Sequence, residues 1–279
     1  MKKTLLAATV ALGLMAGQAD AFSLADDYRG PVKLWVDGFT TTALDPGQDL
    51  QSTADDTYKT WGIFNITKIT NFDTTSANYG ATLWSASATN NLFGGIWGLY
   101  DISQEISGSF YQVMMAGGQF AVYESTTASP SWYNIITNAV AAAGDPGSAL
   151  ATLFGSATPT LNGVFTPDAL ENVASGTTMQ VESRALTTPT IGSGSAYLDV
   201  VGNGTQNSLL DSTPWTENGK DLYFEYSFGT SPFSNWGASI NSASVTGTAV
   251  PEPSTMMLLG LGMFGLAVYG KRRMDSNKA

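Results

Sequence analysis

Residues Asp221 to Phe228 alternate without interruption, with Leu222, Phe224 and Tyr226 on one side and Tyr223, Glu225 and Ser227 on the other. A period of two puts successive side chains on opposite faces of an extended backbone, so this stretch reads as a half-buried β-strand. Shorter segments carry related signals. Val32-Lys33-Leu34-Trp35-Val36 is rich in β-branched residues, and Trp61 to Ile69 is strand-like with a bulge. Ser109 to Met115 and Gln119 to Ser125 flank Ala116-Gly117-Gly118, which predicts a hairpin. Ala196 to Val201 precedes a Gly202-Asn203-Gly204 turn, and Trp236 to Val250 supplies a last strand. The expectation is a mainly β domain, an antiparallel sandwich or barrel-like fold.

One segment departs from this pattern. Ile135, Ile136, Ala139, Val140 and Ala143 recur at helical spacing, with Pro130 and Ser131 before them and Gly144 after. Ser148 to Phe154 reads as a second short helix. Together they predict a short helical insertion, with a candidate subdivision of the domain near 126–176. Thr187 to Ser195 reads as a Thr/Pro/Gly/Ser loop.

Both ends of the chain have a different character. Lys2 and Lys3 precede an apolar run from Thr4 to Gly17, and Ala19-Asp20-Ala21 is a small-residue cleavage site. Residues 1–21 therefore read as a secretory signal peptide, with Phe22 as the mature start. At the other end, Pro251-Glu252-Pro253 leads into an apolar run from Met256 to Tyr269 and then Lys271-Arg272-Arg273. The two prolines prevent a strand or helix from running into the apolar run. That run is short against the roughly 20 residues of an ordinary spanning helix. It predicts a C-terminal transmembrane helix, whose basic cluster stays cytoplasmic and holds the upstream domain outside.

This tail, 251–279, resembles the PEP-CTERM sorting signal of exported Gram-negative proteins. The resemblance rests on Pro251-Glu252-Pro253, on Leu258-Leu259-Gly260-Leu261-Gly262 and on Lys271-Arg272-Arg273, in that order. It covers only the C-terminal tail. It implies an inner-membrane-anchored precursor whose Pro-Glu-Pro region is the substrate of an exosortase-type processing enzyme. It also implies a released domain at the cell surface or in the extracellular matrix, in the company of exopolysaccharide.

The exported domain, 22–250, has 229 residues, enough to bury a large core. Its six basic and 20 acidic residues give it a charge of −14, against −11 for the whole chain. Such a surface repels nucleic acid and anionic lipid. The chain has no Cys and no His, which removes disulfides, thiolate metal sites, imidazole chemistry and the Ser-His-Asp triad. Gly-rich phosphate loops are also missing.

Three candidate chemistries remain. Asp101 with Glu105, or Glu182 with Asp199, are carboxylate pairs of the type that hydrolyses glycosidic bonds without His. Asp45, Asp49, Asp55 and Asp56 cluster near Gly47 as oxygen ligands for calcium, although turns use the same residues. Trp215, between Pro214 and Thr216, is the tryptophan expected to be exposed, where it would stack on sugar, whereas most of the seven Trp are expected in the core. The leading expectation is a non-enzymatic protein with no required cofactor. Its role would be structural or adhesive in exopolysaccharide, in biofilm or floc formation. The alternatives are a secreted carbohydrate-active enzyme using paired carboxylates and a calcium-dependent carbohydrate-binding module.

Overall fold

The computed structural model describes residues 24, 28–40, 59–88, 90–107, 110–125, 158–167, 177–183, 191–212, 219–230 and 238–250. These hold ten strands: β1 (Gly30–Thr40), β2 (Lys59–Asn71), β3 (Thr82–Ser85), β4 (Asn91–Ser107), β5 (Phe110–Ser125), β6 (Leu161–Thr166), β7 (Met179–Ser183), β8 (Ile191–Val200), β9 (Leu222–Thr230) and β10 (Ala238–Ala249). The helix among the described residues is α1 (Asn207–Leu210).

The ten strands occupy eight positions of a closed antiparallel barrel. Two positions are interrupted strands. β3 pairs with Lys68 to Thr70 of β2, and β4 continues the same line opposite Lys59 to Ile66. β6 and β7 share the place between β5 and β8, where Thr166 faces Tyr197 and Met179 faces the adjacent Ala196. Each position neighbours its sequence neighbour, and β10 pairs with β1 to close the ring. Among the described residues, every strand of the ring except the short β3, which pairs only with β2, has a neighbour on both sides. The strands on either side of 126–176 belong to this one sheet.

The bore is filled rather than hollow, as an eight-stranded barrel allows. Val32, Leu34 and Val36 point inward from β1 and meet Leu92, Ile96, Val113, Phe120, Phe165, Leu198, Phe224 and Phe228 in one apolar cluster. Fully burying an aliphatic side chain of this kind contributes about 1.5–3 kcal/mol. Trp84 joins the cluster at 7% exposure. Among the described residues, an apolar cavity of about 40 Å³ lies in the bore.

One end of the bore is closed by α1. Leu209 and Leu210 enter the core, and the Val250 N–H donates to the Leu209 carbonyl at 2.9 Å. Asn162 Oδ1 accepts from the Gly204 N–H at 2.8 Å and from Asn207 Nδ2 at 3.0 Å. Buried Asp221 accepts from the Val200 N–H at 2.8 Å and from Ser212 Oγ at 3.0 Å. The first and last strands begin and end at this rim, where Gly30 is the register partner of Ala249.

Several sequence expectations are corrected. Phe110–Ser125 is one strand, not a hairpin about Ala116-Gly117-Gly118. Gly117 and Gly118, at φ 73° and 102°, kink β5, and the hairpin is instead β4 with β5. Positive φ at both positions is a conformation that glycine adopts without steric cost. Ile191 to Ser195 is not loop but the start of β8, with Gly192 and Gly194 facing inward. A Cβ at Gly192 would run into the Phe228 ring, and one at Gly194 into the Tyr226 ring, so these glycines make room for aromatics on β9. Gly94 in β4 does the same for Phe64, and Gly163 in β6 for Phe120.

The expected helices at 132–154 and the expected membrane helix at 256–269 lie outside the described residues. Among the described residues, no helix is long and apolar enough to cross a membrane.

Candidate functional site: an outer groove

With the bore filled, accessible polar chemistry lies on the outer wall. Among the described residues, a groove of about 530 Å³ runs across β7, β8, β9, β10 and β1. Its floor follows from strand register. Trp35 faces Ser244, Ser244 faces Glu225, Glu225 faces Ser195, and Ser195 faces Gln180. The neighbouring row is Ser242, Ser227, Ser193 and Glu182. Outward positions on adjacent strands lie about 5 Å apart, so each row presents its side chains as a continuous line.

Trp35 closes one end and is held in place. Its indole N–H donates to Thr70 Oγ1 at 3.2 Å. The ammonium groups of Lys33 and Lys68 each sit 4.6 Å from the ring centroid. Lys33 also lies 5.5 Å from the Phe72 ring. Tyr223 lines the same groove and packs on Tyr197 with centroids 4.9 Å apart. The Lys220 ammonium lies 3.8 Å from the Tyr197 ring. Burial is the main cause that raises the Tyr223 phenol above its ordinary value, and the charge of Glu225 adds to it, so the phenol remains a neutral donor.

Two carboxylates face the groove. Glu182 Oε1 accepts from Gln112 Nε2 and from Gln180 Nε2, each at 3.3 Å, which fixes its orientation. Glu225 stands across β8 from it and is exposed. The hydrogen bonds to Glu182 come from uncharged amides, and the Lys33 ammonium that also lines the groove sits over the Trp35 ring.

The residues singled out from sequence fall in several places. Glu182 lies in the groove, but Asp199 does not. Asp199 is six residues along β8 from Ser193, the partner of Glu182, and strand rise makes that about 20 Å. That exceeds the separations of roughly 5–9.5 Å used by paired-carboxylate hydrolases. Asp101 and Glu105 share β4, facing Met115 and Gln112 of β5, and their side chains are outside those described. Asp45, Asp49, Asp55 and Asp56 lie outside the described residues, as do Trp215, Ala19, Ala21, Phe22, Pro251, Glu252, Pro253, Lys271, Arg272 and Arg273. Among the described residues, no three acidic side chains gather as a metal site.

The groove residues Trp35, Ser193, Ser195 and Glu225 were not marked by sequence as a site. The usable signal was the outward set of the β9 alternation, Tyr223, Glu225 and Ser227, continued by the serines of Gly192-Ser193-Gly194-Ser195.

Comparison with known proteins bears on the tail. Residues 249–273 match the family model of the PEP-CTERM protein-sorting motif. No curated protein and no solved structure matches the chain. The motif implies export and a membrane-anchored precursor processed by an exosortase. The match begins at Ala249, the last residue of β10, so the motif follows the barrel with no intervening linker.

Proposed function

We propose that the mature domain is a non-enzymatic cell-surface or extracellular-matrix protein of a Gram-negative bacterium, with a structural or adhesive role in exopolysaccharide during biofilm or floc formation. In this reading the inner membrane is a transient station, and Pro251, Glu252 and Pro253 are substrate for the exosortase-type enzyme. No metal or organic cofactor is required.

The observation that carries the reading is the contrast between the filled bore and the grooved exterior. A cavity of about 40 Å³ is far below the several hundred Å³ of an ordinary ligand pocket. The polar groove on the wall is open to a large partner. The closed wall also suits an exterior setting, since among the described residues only the four-residue β3 has an unpaired side, too short an edge to template association readily.

The test is recovery of the protein from cell-surface and matrix fractions, with its intact mass. The reading expects a chain lacking Met256 to Arg273 that co-purifies with polysaccharide. A surface form that keeps this segment defeats the processing claim. New reducing ends after incubation with the producer's polysaccharide defeat the non-enzymatic one.

A further inference from the structure

We propose that the outer groove binds a polysaccharide strand carrying free amino groups. This deepens the matrix reading above and rests on it only for the setting in which such a strand is met.

The groove supplies three kinds of contact in a fixed order. Trp35, immobilised by Thr70 and two lysines, forms an end wall. Ser193, Ser195 and Ser227 present hydroxyls along the floor, suited to the hydroxyls of a glycan. Glu225 on β9 and Glu182 on β7 then give the groove beyond Trp35 a negative character, flanking β8 on both sides, while the Lys33 ammonium stays at the Trp35 end. Gln112 and Gln180 orient the Glu182 carboxylate without cancelling its charge. Successive ammonium groups along the occupant pair with the two carboxylates, which stand two strands apart, whereas a polyuronate meets repulsion here and from the −14 domain as a whole.

The span fits a chain rather than a single sugar. From β1 to β7 the groove crosses four inter-strand spacings, about 19 Å. A basic peptide is the competing cationic occupant. It gains little here, because the strands beneath the groove are already paired on both sides and cannot accept an added strand. It also leaves the serine hydroxyls without the matching array that a glycan brings.

The experiment uses the processed protein recovered from cells, titrated by calorimetry with glucosamine oligomers, N-acetylglucosamine oligomers of equal length, a polyuronate and polylysine. The expected result is binding to the glucosamine oligomers about tenfold or more tighter than to the acetylated ones, weakening as salt rises. Glu182→Gln with Glu225→Gln should remove that preference. Ser193→Lys, at an exposed floor position paired with Glu182 and Ser227, should abolish binding by placing a cation beside the carboxylates. Circular dichroism and the melting temperature report that each variant is folded. Equal binding of the two oligomers, or a preference untouched by the glutamine variants, overturns the proposal. Polylysine binding that depends on the same two glutamates, without oligomer binding, reassigns the groove to basic peptides. No binding at all overturns the groove assignment while leaving the fractionation and mass results above intact.

Discussion

The barrel wall has two unlike exteriors. On β7, β8, β9, β10 and β1 the outward residues include serine, glutamate, glutamine, lysine, Tyr223 and Trp35, and they line an open groove. On β2, β4 and β5 the outward residues include Ile63, Phe93, Ala121 and Tyr123, all no more than 5% exposed. Both sides share one apolar bore. The difference therefore lies only in the outward half of each alternation, and it divides one sheet into a wall that meets solvent and a wall that is packed on both faces.

The largest effect that separates them is on stability. Phe93→Ala should cost about 3–5 kcal/mol in urea unfolding, the range for removing a buried aromatic. A cost under about 1 kcal/mol would mean that the covered side is not a packed wall. Gly163→Ala comes next. Its added methyl meets the Asp199 carbonyl and the Phe120 ring, so a loss of about 1–3 kcal/mol is expected from the melting temperature. A neutral result would break the idea that inward glycines exist to seat aromatic rings.

Trp35→Ala should be milder, about 1 kcal/mol, because it removes one hydrogen bond and two exposed cation–π contacts. If it costs as much as Phe93→Ala, the groove side is structural and the contrast fails. The smallest effect is silent at neutral pH. Burial raises the Tyr226 phenol above its ordinary 10.0, so folded and unfolded forms are both neutral below that pH. Above pH 10 the unfolded chain ionises first, and this contribution to stability falls as pH rises further. The stability difference between the wild type and Tyr226→Phe should be constant up to about pH 9 and shift in favour of the variant above pH 10. A difference that stays flat through that range would show that the phenol is not desolvated beneath the groove.

The same contrast explains what could be read in advance. β9 was legible because its outward residues are polar, so inside and outside alternate in the sequence itself. β4 was not, because Phe93 on the outside is as apolar as Leu92 on the inside, and Gly94, Gly95 and Gly98 dilute the strand signal. In the first half of β8, Ile191 to Ser195, the failure was of the opposite kind, although Ala196 onward reads as strand. Gly192 and Gly194 are its inward residues, and a position without a side chain carries no hydrophobic mark. The apolar partner of each glycine sits on the neighbouring strand as Phe228 or Tyr226, more than thirty residues away. A pattern written across two strands is invisible along one. The groove was lost with β8, since it depends on register between strands that share no local sequence. The sorting tail was legible because its features are contiguous.

The partnership of Gly30 with Ala249 also fixes an order of events. The two residues are 219 positions apart, so the seam that closes the ring carries a large loop-closure cost unless the intervening strands have already paired. Export that begins at the N-terminus delivers β1 before β10, and until the two meet each keeps one side unpaired. Closure joins the first strand to the one that runs directly into the sorting motif, so the seam is shut by the last piece of wall ahead of the processing segment.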